Sequence, residues 1–201
     1  MNKAAIDRLG APRSAERRAA AKALRRHPSR GAGRPILAAA LKEIRDPRTW
    51  ETQYQMMMAL GACGYQPALP VLRRLKYPEL PHMVVCAIGD SILRLWSMTA
   101  GTTRPLRWIL NRRSDSLLEG ALRAVATERL PVAKRVASDI LRRAREPGFE
   151  FSRAWAAAAV MEWVLPQKKA FLKWCIEHGP YEAAYAAQAS LDGVRPRWKI
   201  L

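Results

Sequence analysis

Residues 53–81 are the part of the sequence that most constrains the fold. An apolar segment ends at Gly61 and Gly64, Pro67 marks the start of a second apolar segment, and Pro78 stops it. Glycine and proline at these places predict two helices joined by a short turn. Because one helical hairpin cannot bury its apolar face alone, the segment predicts further hairpins stacked on either side.

Prolines recur at a spacing that fits such a repeat. The turn prolines Pro47 and Pro78 are 31 residues apart, and Pro147 and Pro180 are 33 apart. The 69 residues between Pro78 and Pro147 make two units, with a turn near residues 111–116. The starts of second helices are marked by Pro35, Pro67, Pro105, Pro131 and Pro166. The chain is therefore predicted to be all-α, a right-handed α-solenoid of about five stacked helical hairpins.

The same pattern predicts where individual helices lie. Apolar residues at helical spacing predict first helices over residues 49–62, 82–97, 116–129, 151–164 and 181–191. A second helix is predicted over residues 34–44, and Ser14 is predicted to cap an earlier helix that ends near His27. We find no strand pattern.

Three segments are predicted from composition: a basic N-terminal helix or arm over residues 1–33, the solenoid over 34–192, and a basic tail over 193–201. Residues 1–34 carry ten Lys or Arg and two acids. Two interpretations of this segment stay open, a polar helix that caps the array and an arm that orders only on a polyanion.

The formal net charge of +18 indicates a polyanionic partner: nucleic acid, an acidic protein or an anionic membrane surface. Three widely spaced cysteines, with no CxxC pair, argue against disulfides and a zinc site and predict a cytoplasmic location. The longest uncharged run, residues 52–72, contains glycines and prolines, so we expect a buried hairpin and no transmembrane segment. No secretory signal is predicted.

The positive charge is concentrated on the predicted second helices, whereas the first helices are nearly neutral. On the second helices, most basic residues lie opposite the apolar stripe. Stacked hairpins place equivalent helices side by side, which predicts one basic ridge along the solenoid. The predicted basic ridge consists of Arg73, Arg74, Arg104, Trp108, Arg112, Lys134, Arg135, Arg142, Lys169 and Lys173.

Trp108 is predicted on the outward side of its helix, one turn from Arg104 and Arg112. Its ring is placed either to stack on a nucleotide base or to pack against the neighbouring hairpin. Arg123 and Arg153 lie on first helices, and we expect them on the convex side, away from the ridge. Asp90 and Arg94, four residues apart on one helix, predict a surface ion pair.

The segment MMMALGACGYQPALPVLRRL resembles the short HEAT-like repeat. The residues that carry the resemblance are Ala59, Leu60, Gly61, Pro67, Leu69 and Leu72. Ankyrin and tetratricopeptide repeats share the period, but their signature residues do not recur here. In HEAT-like arrays the second helices line the concave face, so the resemblance implies a basic groove.

These features predict a non-enzymatic scaffold that binds a polyanion, with nucleic acid (DNA or RNA) in first place and little sequence specificity. An adaptor for an acidic protein is the alternative. A second alternative is a HEAT-like alkylpurine DNA glycosylase, for which the resemblance implies a catalytic Asp, and Asp139 is the one candidate.

Cys175 and His178 lie one helical turn apart without an oxyanion hole, so a structural role is expected. No metal site or small-molecule cofactor is implied.

Overall fold

The all-α prediction is confirmed. The computed structural model describes residues 2–197, and this part of the chain forms helices and turns without a β-strand. The predicted tail over residues 193–201 is described only through Arg197, and Trp198 lies outside the described residues.

The chain divides into two compact units, Met1–Thr99 and Ala100–Leu201. The helices of the first unit are α1 (Asn2–Arg8), α2 (Ser14–Arg26), α3 (Gly33–Glu43), α4 (Trp50–Ala62), α5 (Ala68–Leu72) and α6 (His82–Ala100), which ends at the boundary. The helices of the second unit are α7 (Thr103–Arg112), α8 (Asp115–Glu128), α9 (Lys134–Arg145), α10 (Glu150–Ala159), α11 (Lys168–His178) and α12 (Tyr181–Leu191). Single 3-10 turns lie at Arg30–Ala32, Pro47–Thr49, Tyr77–Glu79 and Val160–Glu162.

Most helix ends lie within two or three residues of their predicted positions, and α12 matches its predicted range. The start of α9 differs, because the backbone is still extended at Ala133 and the helix begins only at Lys134. Pro131 therefore precedes the helix by three residues instead of opening it. The prediction that Ser14 caps α2 is wrong, since Arg13 holds the capping position and the Ser14 hydroxyl bonds Thr52 Oγ1 at 2.7 Å.

The core of the first unit is organised around α4. Residues Thr52 to Gly61 of this helix are all buried, and α2 and α3 pack against it. The side chain of Gln53 donates to the carbonyl oxygens of Glu43 (3.2 Å) and Asp46 (2.7 Å), so the end of α3 is tied to α4. Helix α2 contributes Ala20, Ala21 and Leu24 to this core, which makes it part of the first unit's packing.

One ionic interaction in α6 differs from its prediction. Asp90 is completely buried, and its carboxylate accepts a 2.5 Å hydrogen bond from Arg94 Nε. The expected surface ion pair is therefore a buried carboxylate that is neutralised by a partly buried guanidinium.

Among the described residues, α6 is also the one helix long and apolar enough to cross a membrane. This is weak evidence for a span, because the core helix of a soluble protein passes the same test and 67% of the apolar window is buried.

Gly61 has a different role from the one predicted. It lies inside α4, and the helix end is marked instead by Gly64, whose φ is +62°. A Cβ on Gly61 would lie 2.7 Å from Ser91 Oγ and 2.9 Å from Ser91 Cα. At the same place Ser91 Oγ donates to the Met57 carbonyl at 2.5 Å. Gly61 therefore permits the close approach of α4 and α6.

Replacing Gly61 by Ala is expected to lower the free energy of unfolding by about 1–3 kcal/mol, as overpacking of a dense core does. Urea unfolding followed by far-UV circular dichroism measures this change. Gly10→Ala is the matched control, since its Cβ would meet only the Asp7 carbonyl at 3.7 Å. Equal stability of the two variants would show that α4 and α6 do not pack this closely.

In the second unit, first helices pack on first helices. Helix α10 contacts both α8 and α12, and α7 contacts α9. Ser190 Oγ of α12 donates to the Ala157 carbonyl of α10 at 2.6 Å. This bond matches the Ser91 bond to Met57 in the first unit, and the two bonds join residues 33 and 34 positions apart. The same link between successive first helices thus occurs in both units.

Arg123 and Arg153, which we expected on the convex side of the array, are buried. Their exposed fractions are only 4% and 8%. Arg153 Nε donates to the Ala144 carbonyl at 2.8 Å, and its Nη2 donates to the Glu146 carbonyl at 3.3 Å. These are carbonyls at the C-terminal end of α9, which lack partners within the helix. Arg153 therefore fastens α10 to the end of α9.

Candidate polyanion-binding surface

The predicted ridge residues are divided between the two units. Arg73 and Arg74 lie in the first unit, just beyond the end of α5 and not on the helix. The guanidinium carbon of Arg73 lies 4.2 Å from the centre of the Trp96 ring, and the side chain is half-buried. Arg73 thus packs on its unit, whereas Arg74 is exposed. The other eight predicted residues lie in the second unit, on α7, α9 and α11.

A cationic concavity of about 270 Å³ lies between α7 and α9, and we call it the α7–α9 cleft. Its lining residues are Arg107, Leu110, Asn111, Arg135, Asp139, Arg142 and Arg143. Four guanidinium groups thus face one carboxylate. The cleft combines two residues from the predicted ridge, Arg135 and Arg142, with Arg107 and Arg143, which the ridge prediction left out.

Helical periodicity explains how the sequence builds this cleft. On α7 the residues at spacings of three and four from Arg107 share one face. On α9 the same rule groups Arg135 with Asp139 and Arg142. The faces on the other side of these helices are buried, with Ile109 on α7 and Ile140 on α9 completely enclosed. Burial of the apolar faces therefore orients the arginines toward the cleft.

The four arginines differ in how far they are neutralised. Arg142 contacts Asp139 at 3.2 Å and Glu146 at 3.5 Å, and Arg143 contacts Glu146 at 2.6 Å. Arg107 and Arg135 are exposed, and neither forms an ion pair with a carboxylate in residues 2–197. These two guanidinium groups carry the uncompensated charge of the cleft.

Glu146 is the acid that sequence reasoning missed. Within α9, Asp139 is the one acid among the basic residues, but Glu146 also pairs with Arg142 and Arg143 and lies 3.9 Å from Arg113. The signal was present in the sequence, because Glu146 follows Arg142 by four positions and Arg143 by three. Glu146 lies one residue past the end of α9, so the pattern of the helix itself does not include it.

Arg143 also brings a buried donor to the wall of the cleft. Its side chain is 13% exposed, and its Nε is buried without a hydrogen-bond partner. Buried donors in native proteins nearly always have a partner. Because this nitrogen is enclosed by the protein, it is not a contact that the cleft offers to a ligand.

Trp108 lies on α7 but does not line the cleft. Its ring is half-buried, and the Arg112 guanidinium carbon lies 4.6 Å from the ring centre. Arg104 and Arg112 are exposed on the same helix, one turn before and after Trp108. Part of the indole is therefore accessible between two cations.

The remaining ridge residues lie on α9 and α11. Lys134 opens α9, and Lys169 and Lys173 lie one turn apart on α11. All three are exposed, and none pairs with a carboxylate in the described part of the chain. They add positive charge to the second unit outside the α7–α9 cleft.

The groups that were candidates for chemistry lie in different settings. Asp139 lines the cleft with arginines, but Trp108 does not join it there. Burial raises the pKa of the Cys175 thiol to about 12, so the thiolate is disfavoured. His178 Nδ1 lies 3.2 Å from the Trp174 carbonyl. Within residues 2–197, no group of three or more His, Cys, Asp or Glu residues could hold a metal ion.

Comparison with known proteins gives no relative: no family model matches the chain, and neither a curated protein nor a solved structure matches it significantly. The α7–α9 cleft gathers four arginines around one carboxylate, and its chemistry suits an anion with several oxygen atoms.

Proposed function

We propose that the protein is a non-enzymatic scaffold that binds a polyanion largely without sequence specificity. Nucleic acid is the polyanion that we favour. The α7–α9 cleft carries this proposal, because it presents Arg107 and Arg135, which form no ion pair with a carboxylate in residues 2–197. Arginine has a planar fork of donors that matches the two free oxygens of a phosphodiester. Contacts of this kind recognise the backbone and carry no direct sequence information.

Trp108 favours nucleic acid over an acidic protein. A partly accessible indole next to Arg112 can stack on a base while neighbouring arginines contact phosphates. An acidic protein offers carboxylates to the cleft but has no bases to stack on the ring. We therefore expect single strands to bind at least as tightly as duplexes.

We further propose the repeat architecture that the sequence predicted, a right-handed HEAT-like α-solenoid made of about five hairpins. Packing of α10 between α8 and α12, and of α7 on α9, supports it for the second unit. The equivalent serine bonds from Ser91 to Met57 and from Ser190 to Ala157 support a common repeat in both units. Such arrays present extended binding surfaces.

Fluorescence anisotropy with labelled duplex DNA, single-stranded DNA, single-stranded RNA and poly-glutamate of matched length tests the function. We expect the nucleic acids to bind with an affinity that falls steeply with salt. Poly-glutamate is expected to bind more weakly because it has no bases to stack on Trp108. Tighter binding of poly-glutamate would favour the acidic-protein adaptor. Release of free base from methylated DNA, abolished by Asp139→Asn, would favour the glycosylase.

Glu146→Gln is expected to strengthen nucleic-acid binding about threefold, because the change frees Arg142 and Arg143 from a competing carboxylate. A partly exposed ion pair of this kind contributes up to about 1 kcal/mol. Titration of labelled single-stranded DNA at fixed salt measures the effect. Glu16→Gln serves as control, since Glu16 is exposed on α2 and the change in net charge is identical. Equal gains in both variants would assign the effect to net charge.

A further inference from the structure

A second concavity of the second unit has the opposite charge to the α7–α9 cleft. Its volume is about 480 Å³, and it extends across α8, α10 and α12. We call it the aromatic–acidic groove, and the residues that define it are Glu119, Glu150, Phe151, Trp155, Pro180 and Glu182. No Lys or Arg lines it. Composition alone does not lead one to expect such a groove in a chain of net charge +18.

The walls of the groove are held in place by hydrogen bonds between helices. The Asp115 carboxylate accepts hydrogen bonds from the backbone N–H groups of Phe151 (2.8 Å) and Ser152 (2.9 Å). These bonds fix the start of α10 against α8. Arg153 fastens the same helix to the end of α9. Because these bonds already order the groove, binding of a ligand costs little conformational entropy there.

Phe151 and Glu182 of the groove are exposed to solvent. Phe151 keeps 60% of its surface exposed, so its ring contributes little to the core. Glu182 is exposed and forms no ion pair within residues 2–197. Glu150 accepts a hydrogen bond from the Gly148 N–H at 3.1 Å and lies 3.5 Å from Arg153, so its charge is partly compensated. Glu182 therefore supplies the uncompensated negative charge of the groove.

Aromatic faces next to carboxylates form a site for an organic cation. An ammonium or guanidinium group is attracted to the face of a Trp or Phe ring, and its apolar stem covers the ring. Nearby carboxylates neutralise the charge. The volume lies within the range of small-ligand pockets, about 300–1,000 Å³, and exceeds the volume of one side chain. A short peptide fits these dimensions.

We propose that the aromatic–acidic groove binds a basic peptide segment of a partner protein, with an Arg or Lys side chain over Phe151 and Trp155. Charge complementarity identifies the occupant, since the lining carries three carboxylates and no cation. The rest of the molecule repels basic peptides, so binding depends on these local carboxylates. The inference does not rest on the proposed function, because an anionic ligand would be repelled from this groove.

The probe is a fluorescein-labelled, amidated hexapeptide of alternating arginine and leucine, titrated with the full chain and followed by anisotropy. We expect saturable binding that is weakened about threefold by Glu119→Gln or Glu182→Gln and about tenfold by Phe151→Ala. Glu16→Gln and Val164→Ala are matched controls, since Glu16 is exposed on α2 and Val164 is 81% exposed outside the groove. The controls should bind as the wild type does.

The outcomes separate the proposal from its competitors. Unsaturable binding, equal binding of an analogue with citrulline in place of arginine, or unchanged affinity in the three groove variants would overturn it. A homodimer in sedimentation velocity that dissociates on Glu182→Gln would also overturn it, because the occupant would then be a second copy of the chain. Circular dichroism of each variant verifies folding, and the two Gln variants test the groove even if Phe151→Ala is unstable.

Discussion

Replacing Arg107 and Arg135 together by Glu is expected to lower the affinity for single-stranded DNA about a hundredfold, because hydrogen bonds to charged groups contribute about 1.5–3 kcal/mol each. Both side chains are exposed and form no ion pair in the described residues. The substitution therefore replaces uncompensated positive charge in the α7–α9 cleft by negative charge without breaking an ion pair of the described residues. Anisotropy titration at fixed salt measures the loss.

The control for this variant changes net charge by the same amount at two other exposed arginines, Arg30 and Arg129. Neither forms an ion pair within residues 2–197, and neither lines the cleft. We expect the control pair of Glu substitutions to weaken binding by less than about tenfold through long-range repulsion. Similar losses in both double variants would mean that binding follows total charge and that the cleft has no special role.

Arg153→Ala is expected to lower the free energy of unfolding by about 3 kcal/mol, since it leaves buried polar groups without their partner. Arg153 is 8% exposed and donates to the Ala144 and Glu146 carbonyls. Its guanidinium also lies 5.2 Å from the Trp174 ring centre. Urea unfolding followed by tryptophan fluorescence measures the change.

Arg142→Ala is the matched control for stability. This side chain is 66% exposed, and its pairs with Asp139 and Glu146 are 3.2 and 3.5 Å long. Exposed pairs of this kind contribute at most about 1 kcal/mol. If Arg142→Ala destabilised the protein as much as Arg153→Ala, the hydrogen bonds from Arg153 to the end of α9 would not have the assigned role.

The helices could be predicted from the sequence because their ends are marked by local backbone chemistry. Proline and glycine fix or release backbone angles within a residue or two, and this places α12 at its predicted range. The same rule fails at Pro131, because two non-helical residues lie between it and the start of α9 at Lys134. Proline excludes a preceding helix more strictly than it starts a following one.

The roles of charged side chains were harder to predict, because they depend on contacts between helices. Arg153 counts as one positive charge on a nearly neutral helix, but its length lets it reach carbonyls on α9. The aromatic–acidic groove was missed for a related reason. Its carboxylates, Glu119, Glu150 and Glu182, are about one repeat apart in sequence and meet only when the first helices pack.

The salt dependence of single-stranded DNA binding by single alanine variants tests the central claim most directly. Each arginine that contacts a phosphate adds about 0.7 to the slope of log affinity against log salt for a single strand. We predict that Arg107→Ala and Arg135→Ala each reduce the slope by about that amount, while Arg129→Ala leaves it unchanged. Slopes that are equal in all three variants and the wild type would contradict phosphate binding in the α7–α9 cleft.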